Sequence, residues 1–195
     1  MSIKSKISKG LKLVRDGEYK ELIDEILKIA RRKIIWFCHN HFRKKYMFLK
    51  MRNDPRFMIK EPRFNGDDFL NMLLYRPIKK YEVCKIKLGD IRRSWNGVVM
   101  KLSDVSPYKY LVNNENKIYE EYCEKVKAVG DVRSMEKFKK LIAKVEQENY
   151  DIKKGAIVLN DKNILMDGQH RACIMLKNFG PDYVVDVVRL YYFNV

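Results

Sequence analysis

The chain has 195 residues, of which 46% are hydrophobic and 34% charged, with only 9 Gly and 5 Pro. Such a composition can bury a core, which excludes general disorder, collagen-like repeats and Pro-rich linkers. Lys and Arg number 41 against 25 Asp and Glu, and the net charge of +16 biases the chain toward anionic partners.

The excess is not evenly spread. Residues 1–60 hold 17 Lys/Arg and 6 Asp/Glu, whereas residues 96–195 hold 16 and 14. The expected organisation is a basic helical N-terminal region with a connector over 1–80, then a domain over 81–195. The opening MSIKSKISKG is basic and polar with no apolar stretch behind it, so no secretory signal is expected. Cys38, Cys84, Cys123 and Cys173 stand far apart without a CxxC pair, which reads as reduced thiols rather than a disulfide frame or zinc knuckle. The expectation is a cytoplasmic protein, one that could sit peripherally at the inner face of a membrane.

In chain order, Leu22, Ile23, Ile26, Leu27 and Ala30 recur at helical spacing and predict an amphipathic helix over about 18–33. A second helix over about 34–51 mixes Trp36, Phe37, Phe42, Tyr46, Phe48 and Leu49 with Arg43, Lys44, Lys45 and Lys50. The plain expectation is a helical hairpin whose apolar stripe packs on the domain that follows. The basic face beside aromatics could also lie on an anionic membrane or grip nucleic acid through residues 1–60. His39 and His41 fall on different helical faces with no third ligand nearby, so no metal site is expected. Asn53-Asp54-Pro55 ends this pattern, and Asp67 to Tyr75 is expected to form one short helix within the connector.

The second half alternates strands and helices. Tyr81 to Leu88 alternates apolar and polar residues as a half-buried strand does, and Asn96-Gly97 turns into a strand at Val98–Leu102. Helices are predicted over about 115–129, with Gly130 as C-cap, and after the N-cap Ser134. Ala156–Leu159 and Ile164–Met166 form a hairpin, followed by a helix over about 169–178 and a last strand over 183–193. The fold class is α+β.

One segment carries chemistry. Asp167-Gly168-Gln169-His170-Arg171 sits where a strand hands over to a helix, where first-turn amides are unpaired and the dipole favours an anion. Gly168 offers close approach to the backbone, His170 and Arg171 offer donors, and Asp167 could cap the helix or order the turn. These features predict a phosphate cradle, although Asp-Gly with a His-Arg pair would also serve a plain turn and helix cap.

The helix after Ser134, the Ile157-Val158-Leu159 strand and Ile164 through Ala172 together resemble the ParB/sulfiredoxin superfamily, over about residues 97–193. The resemblance implies a mixed sheet with packed helices that binds a nucleotide, with Gly168, Gln169, His170 and Arg171 on the phosphates. Where sulfiredoxins carry a Cys this chain has Gln169, which excludes their sulfinyl chemistry, and Cys173 is expected in the core. Only 24 residues follow Arg171, too few for the helix-turn-helix of the partition proteins, so sequence-specific DNA reading is not expected.

ParB-like serine kinases are the remaining characterised enzyme relatives. They imply ATP or another nucleoside triphosphate with Mg²⁺ and transfer to a small hydroxyl substrate, and Asp104 would be the base. An Asx-type turn before Ser106-Pro107 is the alternative role for Asp104. Two other functions stand beside this one: a nucleic-acid-binding or nuclease-like protein, and a non-catalytic module at a membrane surface. The second follows a looser likeness to small DGQHR-containing proteins linked to surface-polysaccharide synthesis.

Overall fold

The computed structural model describes residues 19–56, 76–127 and 133–193. The chain divides into two compact units, one up to Lys45 and one from Tyr46 to Phe193. Helix α1 (Tyr19–Cys38) and the π-helical turn after it (His39–Arg43) lie in the first unit, and α2 (Lys44–Arg52) follows directly in sequence, mostly in the second. The expected break near residue 33 is absent, because no Gly or Pro interrupts the backbone ladder there. One continuous helical run therefore replaces the expected hairpin. The apolar stripe of α1, expected to be packed away, is instead exposed: Ile23, Leu27 and Ile34 are 56%, 60% and 62% accessible. The helix expected over Asp67–Tyr75 lies outside the described residues.

The second unit is built on a four-stranded mixed sheet. Its strands are β1 (Ile78–Lys87), β4 (Val158–Asn160), β5 (Leu165–Asp167) and β6 (Val184–Tyr192), in the order β1-β6-β4-β5. β6 runs antiparallel to β1 and parallel to β4, and β4 and β5 form the expected antiparallel hairpin. A separate two-stranded ribbon, β2 (Arg92–Trp95) and β3 (Val98–Lys101), closes through Asn96-Gly97. Both turn residues have positive φ, 48° and 81°, which suits the right-handed twist of a hairpin.

The helices are α3 (Ser106–Asn113), α4 (Asn116–Lys127), α5 (Met135–Glu148) and α6 (Gln169–Phe179). Strand alternation sends Ile157, Leu159, Val185 and Val187 toward these helices, into a core with Tyr119, Phe138, Cys173 and Ile174. The alternate residues Ala156, Val158, Val188 and Leu190 pack with Met47, Met51 and Ile78 on the opposite face. The sheet is therefore covered on both faces, and β4, only three residues long, holds position against two cores. The β4–β5 hairpin delivers the chain to the start of α6, whose inner face (Ala172, Cys173, Ile174) is fully buried.

Local signals set several boundaries. The Ser134 hydroxyl accepts from the Lys137 amide at 3.3 Å and caps α5, and Gly180 closes α6 with φ 80°. Helix α4 ends its described course at Lys127, so the Gly130 cap lies outside the described residues. Helix α3 was not predicted. Its Pro107 occupies the first turn, where the missing N–H costs nothing, so Ser-Pro here opens a helix rather than a turn.

Candidate functional site: a cleft at the start of helix α6

β5 ends at Asp167, Gly168 caps the helix in the left-handed region (φ 83°), and α6 begins at Gln169. A Cβ on Gly168 would lie 2.8 Å from the Ile157 Cα and 2.9 Å from the Ala156 carbonyl oxygen. Glycine is thus required twice, for its φ and for the close passage of the segment leading into β4. Its bare face meets protein rather than an incoming ligand, which corrects the expected reason for a glycine there.

Around this junction lies a cleft of about 50 Å³, bordered by Met166 to Arg171, Leu141, Leu165, Arg93 and Arg133. Three elements contribute its cations. Arg93 comes from β2 and donates through Nη1 to the Leu165 carbonyl at 3.2 Å. Arg133 precedes the α5 cap, and its guanidinium carbon lies 5.6 Å from the Tyr122 ring centre. Arg171 comes from the first turn of α6, and its Nη1 lies 3.5 Å from the Ala156 carbonyl.

Arg171 has a berth of its own. Gly155 has φ 153°, and a Cβ there would come within 2.6 Å of the Arg171 guanidinium carbon. The guanidinium therefore lies against a bare Cα. Among the described residues, no carboxylate pairs with Arg171.

His170 does not present a cation to the cleft. It is 7% exposed, and its ring sits edge-on to Phe138, Tyr119 and Tyr122, with centroid distances of 4.6, 5.7 and 5.9 Å. Arg133 Nη1 lies 2.9 Å from His170 Nδ1, and the Tyr119 hydroxyl lies 2.9 Å from Nε2. A guanidinium only donates, and this one lies nearer Nδ1 than Nε2 (3.5 Å). The shorter contact makes Nδ1 the acceptor and leaves the ring proton on Nε2, facing the Tyr119 hydroxyl. The ring is thus a neutral positioning group that holds Arg133, in place of the expected phosphate ligand.

Gln169 is 8% exposed and borders the cleft at the first helical turn. Asp167 also borders it and is half-buried. Asp104 is elsewhere: it accepts from the Lys101 amide and the Ser103 hydroxyl, each at 3.3 Å, and is exposed. That bonding stabilises a 3-10 turn (Leu102–Asp104) leading into α3. Its carboxylate is not among the groups bordering the cleft.

The structure thus brings together Asp167, Gly168, Gln169, His170 and Arg171, and leaves Asp104 outside. Sequence reasoning missed Arg93, Arg133, Gly155 and Tyr119. Arg133 stands directly before the Ser134 cap, and an arginine flanking a predicted cap next to a cradle was its one local trace. Arg93 had none, since it reaches the site across 72 residues of sequence.

Among the described residues, no group of three His, Cys, Asp or Glu is placed to hold a metal ion. No helix there is long and apolar enough to cross a membrane. Compared with known proteins, the chain matches no family model, no curated protein and no solved structure.

Proposed function

We propose that this chain binds a phosphate-bearing small molecule of the nucleotide class, seating the phosphate at the first turn of α6. The supporting observation is the convergence of Arg93, Arg133 and Arg171, from three separate segments, on that one helix end. An arginine fork can donate to two phosphate oxygens, and such charge-assisted bonds are about twice as strong as neutral ones. The unpaired amides and positive end of the helix act on the same oxygens. The likeness of this region to the ParB/sulfiredoxin superfamily accords with the reading and belongs to the proposal.

The volume of about 50 Å³ suits a phosphate group and not a whole nucleotide, so the sugar and base of ATP or another nucleoside triphosphate would lie outside the cleft. The ligand is therefore recognised first by its phosphates.

Transfer of phosphate to a small hydroxyl compound would need a base beside the bound group. Asp167 is the carboxylate bordering the cleft among the described residues, and Asp104 is committed to its own turn. Mg²⁺ in such sites is held by one or two carboxylates together with substrate phosphates. Three guanidinium groups crowd that one carboxylate, so the protein's own groups repel a cation there; we derive no step through Mg²⁺ and propose binding without turnover.

Calorimetric titration of ATP, ADP and CTP into the intact chain and into Arg171→Ala tests the reading. Binding that weakens at least about tenfold in the variant is the expected result. Lack of binding by the intact chain overturns it, as does equal affinity in the two proteins.

A further inference from the structure

Helix α1 turns its apolar residues outward. Ile23, Ile26, Leu27, Ala30, Ile34 and Phe37 recur at i, i+3, i+4, i+7, i+11 and i+14, which places them on one stripe of a helix about 30 Å long. The five large side chains are each between 55% and 62% exposed. The stripe continues past the helix end. In the π-helical turn that follows, His41 stacks on Phe37 with centroids 4.1 Å apart, and Phe42 stands 70% exposed. At about 100° per residue, Lys20 and Arg31 border one side of the stripe and Lys33 the other. From Ile26 to Asn53 the chain carries nine Lys and Arg and no acid.

These features select among possible occupants. A nucleic acid would engage the cations and leave the aliphatic stripe in water. A second copy aligned in parallel would set Lys28, Arg31, Arg32 and Lys33 against the same four cations at a like-charge cost. An anionic bilayer satisfies both halves at once: the stripe enters the acyl boundary while lysines and arginines at its edges meet lipid phosphates. We propose that α1 lies flat on an anionic membrane surface, holding the chain there without spanning the bilayer. The seat is independent of the α6 cleft.

Co-sedimentation of the full chain with phosphatidylcholine vesicles, with and without about a third phosphatidylglycerol, tests the proposal. The comparison protein carries Leu27→Glu and Ile34→Glu, two exposed positions whose change leaves the cores untouched, and circular dichroism checks its helicity. Binding should require the anionic lipid and fall by at least about tenfold in the double variant. Failure to bind anionic vesicles overturns the proposal, as does binding that the double variant retains. So does association with duplex DNA, or a dimer in solution lost in the double variant, when either occurs without vesicle binding.

Discussion

Arg133 Nη1 and His170 Nδ1 lie 2.9 Å apart, and the same imidazole meets the Tyr119 hydroxyl through Nε2 at 2.9 Å. A protonated ring would set N–H against N–H and drive the guanidinium off. The cleft therefore depends on a neutral imidazole as the seat of one of its arginines. The nitrogen spectrum of His170 near neutral pH should show the Nε2–H tautomer, and an imidazolium signal would contradict the assignment. His170→Ala should weaken phosphate binding by about tenfold without removing any group proposed to touch the ligand.

Two glycines near the cleft should respond differently to a methyl group. Gly168→Ala drives a Cβ into the backbone of Ile157 and Ala156 at a positive φ, so a loss of roughly 2–4 kcal/mol in denaturant unfolding is expected. Gly155→Ala meets the far end of a flexible arginine. Its φ of 153° strains alanine as well, by about 1–3 kcal/mol, and the contact should displace Arg171 and weaken phosphate binding. Phosphate binding left unchanged by Gly155→Ala would contradict this distinction.

Thiol accessibility should follow burial. Cys38 is exposed, whereas Cys173 is fully enclosed and burial holds its thiol well above the usual range. Since the thiolate is the reactive form, Cys38 should be labelled first in the native chain and Cys173 only after unfolding. Rapid native labelling of Cys173 would show that α6 does not pack as described.

Tyr150 sets an alkaline limit. Its hydroxyl donates to the Asp186 carbonyl at 2.8 Å and accepts from the Ile157 amide at 3.1 Å, just upstream of β4. Burial raises its pKa from 10 to about 12, partly offset by that amide. Below pH 10 the phenol is neutral both folded and unfolded, so its contribution is complete. Stability then falls as pH rises toward about 12, by up to roughly 3 kcal/mol. Urea midpoints measured across that window should decline less in Tyr150→Phe. An equally steep decline in the variant would assign the effect to another group.

What was legible in the sequence is what short-range chemistry specifies. Ser134 as a cap, Asn96-Gly97 and Gly180 as turns and ends, and the β4–β5 hairpin all rest on residues within a few positions of one another. The stretch Asp167–Arg171 was legible as a strand-to-helix junction for the same reason. Its partners were not, since Arg93 arrives with a different sheet and the seat of Arg133 is a histidine buried among aromatics. Polarity alone suggested that His170 offers a cation to a phosphate, and only the packing of Tyr119, Tyr122 and Phe138 shows its ring enclosed among aromatics. Asp104 was assigned as a base from the resemblance to the kinases, and its place after β3 did not say that its carboxylate closes on the Lys101 amide and Ser103 hydroxyl. The α1 stripe was visible as periodicity, but periodicity does not say which side of a helix water occupies.

A crystal structure of the chain soaked with ATP tests the central claim most directly. Phosphate density within hydrogen-bonding reach of Arg133, Arg171 and the Gln169 amide, with the base outside the cleft, is the predicted result. Phosphates bound only along the basic helical run between Ile26 and Asn53, with the α6 cleft empty, would contradict it.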